Sequence, residues 1–193
     1  MKGTLQHPSL PAPPTGNTRE HVSLGLGAVV IVDRPSIVRT ILGSCVAVIL
    51  HVPRLRVSAV CHAQMPERAA GLCCTDNCPQ PCGGRQSDSQ DLRYVACSIR
   101  YMLNDLHRRH VIKAEIICTL IGGANVIKNM DPRWSVGERN VEMAVSVLKS
   151  KSIRVAYSDT GGEQGRVIEH TSDLNRTKVR YHDSPKSSAD EIP

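Results

Sequence analysis

Thr40-Ile41-Leu42-Gly43-Ser44-Cys45-Val46-Ala47-Val48-Ile49-Leu50 decides how this chain is read. A β-branched run, Ile37 to Leu42, stops at a glycine, and a second apolar run starts directly after a cysteine. That second run, Val46 to Val52, is halted by Pro53 and reads as a buried strand. Val57 to Cys61 is a third apolar run; with His62 it forms the strand Val57 to His62, which ends near Pro66. Upstream, Ala28 to Val32 is again β-branched, and Asp33-Arg34-Pro35-Ser36 has turn chemistry. Four short strands with tight connections predict antiparallel neighbours in a sheet.

Working outward, residues 1–20 hold Pro8, Pro11, Pro13 and Pro14 among polar neighbours and read as a disordered lead. Residues 67–90 interrupt the pattern with Cys73, Cys74, Cys78 and Cys82 among Pro79, Pro81, Gly83 and Gly84, and read as an irregular insertion. Leu92, Val95, Ala96, Ile99, Met102, Leu103 and Leu106 recur at helical spacing, so a helix is expected from about Asp91 to Arg109. Ala114 to Ile121 reads as a strand closed by Gly122-Gly123-Ala124-Asn125.

Ser135 with Glu138 is a capping-box signature, and Val141, Ala144, Val145 and Leu148 carry a second helix to about Ser150. A strand at Ile153 to Tyr157 and a turn at 158–162 follow. Gly165 to Glu169 and Lys178 to Tyr181 form a closing hairpin around Asp173-Leu174-Asn175, and 182–193 is a polar tail. Strands outnumber helices and come first in a run. The fold class is therefore α+β: a single domain over residues 21–181, a layered sandwich of mostly antiparallel strands with two main helices.

The 193 residues suffice for one sizeable core. With no Phe, one Trp and four Tyr, that core must be aliphatic. A net charge of +6 suits an acidic partner or merely keeps the protein soluble. Nucleic acid is disfavoured because no aromatic residues interleave with the basic ones. No stretch nears the roughly 18 apolar residues of a membrane span, and no apolar segment follows Lys2 as an export signal would require. Eight cysteines in such a chain point to reduced thiols and a cytoplasmic location.

Two groups of residues carry candidate chemistry. Cys45 and His62 each stand at the edge of a buried strand, so rigid elements can aim a thiol and an imidazole into one cleft. A thiol needs its pKa lowered by a neighbour to act as a nucleophile, and His62 can pair with it and protonate a leaving group. Gly43 and Ser44 allow close backbone approach, a strained turn and N–H donors for an oxyanion; Thr40 can orient the imidazole. Alternatively, Cys45 is an inert core residue.

The second group is Cys73, Cys74, Cys78 and Cys82. Four thiolates can enclose zinc or an iron–sulfur cluster, and the competing reading is a loop with exposed thiols. Gly122-Gly123-Ala124-Asn125 is expected as a tight turn beneath the cleft, and Asp159 as a turn-forming residue. Arg139 and Asn140 either touch substrate or pin their helix to a loop.

Thr40 to Val48 with Gly43-Ser44-Cys45 at its centre, His62 followed by Met65-Pro66, the Gly122-Gly123-Ala124 turn, Gly137-Glu138-Arg139-Asn140 and Asp159-x-Gly161-Gly162-x-x-Gly165-Arg166 occur in one order along residues 22–181. Together they resemble the CheD family of chemoreceptor glutamine deamidases. The resemblance implies hydrolysis of glutamine side-chain amides on methyl-accepting chemotaxis receptors, with Cys45 attacking, His62 as acid/base and, as third polar residue, Thr40 or the position one step nearer the N-terminus, which is Arg39 here. It implies no cofactor, and a CheC-type phosphatase as a partner. The family's Phe after the histidine is Ala63 here and its Leu before the proline is Met65, changes expected to alter the pocket beside His62. Two other readings stand against the enzyme: a non-catalytic chemotaxis adaptor that binds receptors or the phosphatase, and a metal-binding redox protein organised around residues 73–82.

Overall fold

The computed structural model describes residues 19–67, 92–126 and 135–182, together with the backbone of 190–192. The chain runs β1 (Glu20–Ser23), β2 (Ala28–Val32), β3 (Ser36–Leu42), β4 (Val46–Val52), β5 (Val57–His62), α1 (Val95–Arg108), β6 (Ile117–Gly122), α2 (Val136–Ser150), β7 (Val155–Thr160), β8 (Arg166–Thr171), β9 (Arg176–Tyr181) and β10 (Asp190–Ile192). One sheet has the order β1-β3-β8-β9-β10 and the other β2-β5-β4-β6-β7. Only β1–β3 and β6–β7 are parallel among these pairs; the rest are antiparallel. The expected α+β class, with mostly antiparallel strands and two main helices in one domain, is what the chain adopts.

The apolar residues sort into two layers. Val46, Val48, Leu50 and Val52 of β4 join Ala59 and Cys61 of β5 against Val95, Ile99 and Met102 of α1 and Ala144 and Leu148 of α2. Ala47 and Ile49 instead meet Val38 and Leu42 of β3, Val60, Ile168 and Val179 between the sheets. Successive strand side chains point to opposite faces, so β4 is covered by helices on one face and by the second sheet on the other. That explains the unbroken apolar run: every residue of β4 is buried.

Several element boundaries differ from expectation. The fold begins before residue 21, since Glu20 opens β1 and Arg19 forms a two-pronged pair with Asp173 at 2.8 and 2.9 Å. Helix α1 starts at Val95 because Tyr94 is extended (φ −89°, ψ 129°) and bridges Met65. Lys113–Glu115 form a 3₁₀ turn ahead of β6, held by the Ile112 N–H donating to the Glu115 carboxylate at 3.0 Å. In α2 the buried stripe is Gly137, Asn140, Ala144, Val147 and Leu148, while Val145 faces solvent. Ser158, Asp159 and Thr160 continue β7 alongside β6 rather than turning, which confines the turn to Gly161 and Gly162, at φ +75° and +70°.

The expected turn at 173–175 is present as Ser172–Leu174 with Asn175 left-handed. β10 pairs with β9 inside the stretch read as a tail. The insertion at 67–90, apart from Glu67, lies outside the described residues, as do Cys73, Cys74, Cys78 and Cys82.

Candidate active site

Strand register brings Cys45 and His62 to one face. β4 and β5 pair Ile49 with Val60, and the same register continues to a bridge between Val46 and Ala63. Ala47 therefore stands opposite His62, and Cys45, which precedes Ala47 by one pleat, emerges on the same face. Cys45 packs on the inter-sheet cluster that contains Ala47, Ile49 and Val60. His62 and Cys45 are thus diagonal neighbours on adjacent strands, a relation that typically puts Cβ atoms about 7–8 Å apart, and no hydrogen bond joins Nε2 to the thiol.

The imidazole is oriented from the other sheet. Thr40 belongs to the inward face of β3, and its Oγ1 lies 2.7 Å from His62 Nδ1 and 2.7 Å from the Leu24 carbonyl oxygen. A carbonyl only accepts, so the single hydroxyl proton goes to Leu24 and Thr40 must accept from His62 Nδ1–H. This fixes the tautomer, leaving Nε2 as the basic nitrogen. Nε2 is buried and has no hydrogen-bond partner. A buried polar atom without a partner is unusual, and this one is left free to accept a proton.

Electrostatics in the free protein favour the neutral pair. Burial pushes the Cys45 thiol up, an effect partly offset by its own backbone N–H. Burial pulls the His62 imidazole down, partly countered by the Leu24 backbone. Both shifts favour the uncharged forms, and a neutral imidazole is the form that can remove a thiol proton.

The loop bearing the thiol is held by its carbonyls. Ala124 N–H donates to Gly43 O at 3.0 Å, and Gly123 N–H to Cys45 O at 2.7 Å. Between them, Asn140 Nδ2 donates to Ser44 O at 2.9 Å and also to Gln64 O at 2.9 Å. The Gly122-Gly123-Ala124 turn is therefore the expected turn at the cleft, and its glycines are required. A Cβ on Gly122 (φ +110°) would sit 2.3 Å from Cys45 O, and one on Gly123 (φ +69°) would sit 2.3 Å from Val141 Cγ2. Of the two readings of Asn140, the structure takes the pin. Its sequence signal was a polar residue within the apolar stripe of α2.

Gly43 has a different reason to be glycine. Its backbone is not left-handed, and an added Cβ would meet only Val126 at 3.7 and 3.8 Å. No strained turn exists there; the open side is free for close approach. It leads into a cleft of about 450 Å³ lined by Ile41, Leu42, Gly43, Asn125, Val126, Glu163, Gln164, Gly165 and His182. That cleft adjoins the thiol loop without enclosing the thiol.

The wall at 163–165 is set by Arg166, whose buried guanidinium grips Asp159 Oδ1 at 2.8 and 3.1 Å and the carbonyls of Gly161 and Gln164. Tyr181 donates to the other Asp159 oxygen at 2.9 Å. Asp159 is thus an anchor on a strand rather than a turn residue.

Ala63 was expected to reshape the pocket, but it packs under the helices on the face of β5 opposite His62. Its side chain adjusts the helix layer. Met65 is exposed. Cys61 and Cys118 are fully buried thiols, each pushed up to about 12 by desolvation. Among the described residues no three His, Cys, Asp or Glu side chains converge to hold a metal.

Residues 79–181 match the family described as CheD chemotactic sensory transduction. A Geobacter sulfurreducens protein named as probable chemoreceptor glutamine deamidase CheD 2 is 32% identical over 184 residues, covering 91% of this chain and 98% of that protein. The chain belongs to the CheD family. A CheD of Maridesulfovibrio salexigens is 34% identical over 139 residues, covering 70% of this chain and 76% of its own length. A CheD of Thermococcus kodakarensis is 31% identical over 161 residues, covering 82% and 90%. Both of these CheD proteins are also named probable chemoreceptor glutamine deamidases.

Proposed function

We propose that this protein is a cysteine-dependent glutamine deamidase acting on methyl-accepting chemotaxis receptors, in keeping with the names its relatives carry. The observation that carries the reading is the chain Leu24 O, Thr40 hydroxyl, His62 Nδ1–H, with an unpartnered Nε2 on the face that holds Cys45. His62 Nε2 takes the thiol proton, and Cys45 Sγ bonds to the amide carbon of the glutamine side chain. Negative charge collects on the former carbonyl oxygen, where the N–H groups of the Gly43–Cys45 loop are donors. The imidazolium then protonates the departing nitrogen, ammonia leaves and a thioester remains. His62 next accepts a proton from water as its oxygen attacks the thioester. Collapse returns the thiol and releases glutamate.

Thr40 holds the imidazole in the productive tautomer throughout. Gly43 lets the receptor backbone close on the loop. A cytoplasmic location fits a substrate on the inner part of a receptor, and a CheC-type phosphatase is the proposed regulatory partner. No helix of the described residues is long and apolar enough to cross a membrane.

The deciding experiment incubates a receptor signalling fragment with the protein and follows ammonia release and the amide-to-acid mass change by peptide mass spectrometry. Wild type should convert specific glutamines, and Cys45→Ala and His62→Ala should not. Intact glutamines in a wild-type reaction that still binds the receptor or the phosphatase would replace the enzyme with the adaptor.

A further inference from the structure

Asn140 is fully buried on α2, in line with Gly137, Ala144 and Leu148, where an apolar side chain would serve stability better. Its Nδ2 spends both protons on backbone carbonyls, Ser44 O and Gln64 O, each at 2.9 Å. Ser44 directly precedes the thiol residue, and Gln64 follows His62 across one intervening residue. The carboxamide oxygen has no hydrogen-bond partner among the described residues. The fold thus accepts an orphaned acceptor in its core in order to present two donors at one point. Of the common side chains, only a primary amide of this length offers two N–H groups from one uncharged nitrogen.

The surroundings bear this out. A Cβ on Gly137 would lie 2.6 Å from Gly123 O and 2.7 Å from Ala124 O, so the first turn of α2 rests directly on the turn that grips Gly43 O and Cys45 O. Ladder bonds between Val46 and Ala63 fix the strands beyond these loops but do not reach the reacting residues' outer sides. Past that last bridge, Asn140 is the direct hydrogen-bonded tie between the two loops among the described residues.

We infer that Asn140 is the positioning residue of this active site: it ties the backbone before Cys45 to the backbone after His62 and so fixes the separation of thiol and imidazole. This rests on the Cys45/His62 reading given above. Asn140 touches neither reacting group and acts through the two loops.

The tie can be read first in the unaltered protein. Scalar coupling across the hydrogen bonds, from the Asn140 side-chain ¹⁵N to the carbonyl ¹³C of Ser44 and of Gln64, should be present for both; absence of either overturns the inference. Asn140→Asp replaces two donors with an acceptor facing two carbonyls. In the folded variant kcat should fall about 100-fold while KM changes less than about threefold, the pattern of displaced reacting groups rather than lost substrate contacts. Asn140→Ser, which keeps one donor, should fall in between. The pH profile of Cys45 alkylation should shift in the Asp variant, a change that loss of helix stability alone does not produce.

A folded Asn140→Asp protein with kcat within about twofold of wild type and an unaltered alkylation profile overturns the inference. If instead Cys45→Ala still deamidates, the functional reading falls, whatever the coupling measurement shows.

Discussion

At the scale of single residues, the hydroxyl of Thr40 is the most exposed to test. Thr40→Val keeps the shape but leaves the Leu24 carbonyl and His62 Nδ1–H without partners. It should cost about 1–3 kcal/mol in urea unfolding and lower kcat by about 10- to 100-fold, whereas Thr40→Ser should restore most of both. Gly43→Ala meets only Val126 in the free protein. It should fold with an unchanged melting temperature and show its defect as a raised KM toward receptor fragments. Burial raises the Cys45 thiol and lowers His62. Iodoacetamide labelling of Cys45 should therefore climb with pH past the usual thiol range of about 8.5, and deamidation should persist below about pH 6.5, where an ordinary histidine would be mostly charged. Cys61 and Cys118 should stay unlabelled in the native protein throughout.

At the scale of elements, Cys45, His62, Thr40 and the strands carrying them were legible because the local signals were strong. Apolar runs bounded by glycine and proline, and a capping Ser135 whose hydroxyl does accept from Glu138 N–H, need no knowledge of distant contacts. What was illegible depended on tertiary partners. Glu20–Ser23 carries no strand pattern of its own and is a strand only because β3 offers it an edge. Sequence spacing puts Val145 in the apolar stripe and leaves Val147 out, yet Val147 is the buried one; only the placement of the sheet chooses between them. The Leu24 carbonyl has no side-chain signature at all. Close contact between α2 and the glycine turn gives a test at this scale. Gly137→Ala should drive the helix off the turn, costing roughly 1–3 kcal/mol by overpacking and reducing activity in parallel. An alanine at Gly25, where no atom lies within 4 Å, should be silent.

At the scale of the whole molecule, the two sheets share a second buried polar chain that the reaction does not use. His51 Nδ1 lies 2.8 Å from Ser58 Oγ, which lies 2.9 Å from His170 Nε2, and His170 Nδ1 lies 3.0 Å from Thr177 Oγ1. Desolvation, then the neighbouring His51, pull His170 down to about 3, and desolvation lowers His51 as well. Unfolded, these histidines would titrate near 6.5, so below that pH the unfolded chain binds protons that the folded chain refuses. Stability should be full above about pH 6.5 and drop by up to about 1.4 kcal/mol per pH unit per group as pH falls toward 3. Urea midpoints at pH 7, 5 and 4 check this, and His170→Gln should flatten the trend.

The proposed reaction centre spans the same seam, since Thr40 of one sheet meets His62 of the other, and this has a consequence for synthesis. A ribosome delivers Leu24, Thr40, Cys45 and His62 early, but Asn140 and the strand β8 that flanks β3 emerge late. Domains fold as units once their last packing partner has been made. For most of its time on the ribosome the nascent chain therefore carries Cys45 as an exposed thiol without the sheet-to-sheet geometry that orients His62. Under the proposed mechanism it can act on a receptor only after the segment beyond residue 166 has been added.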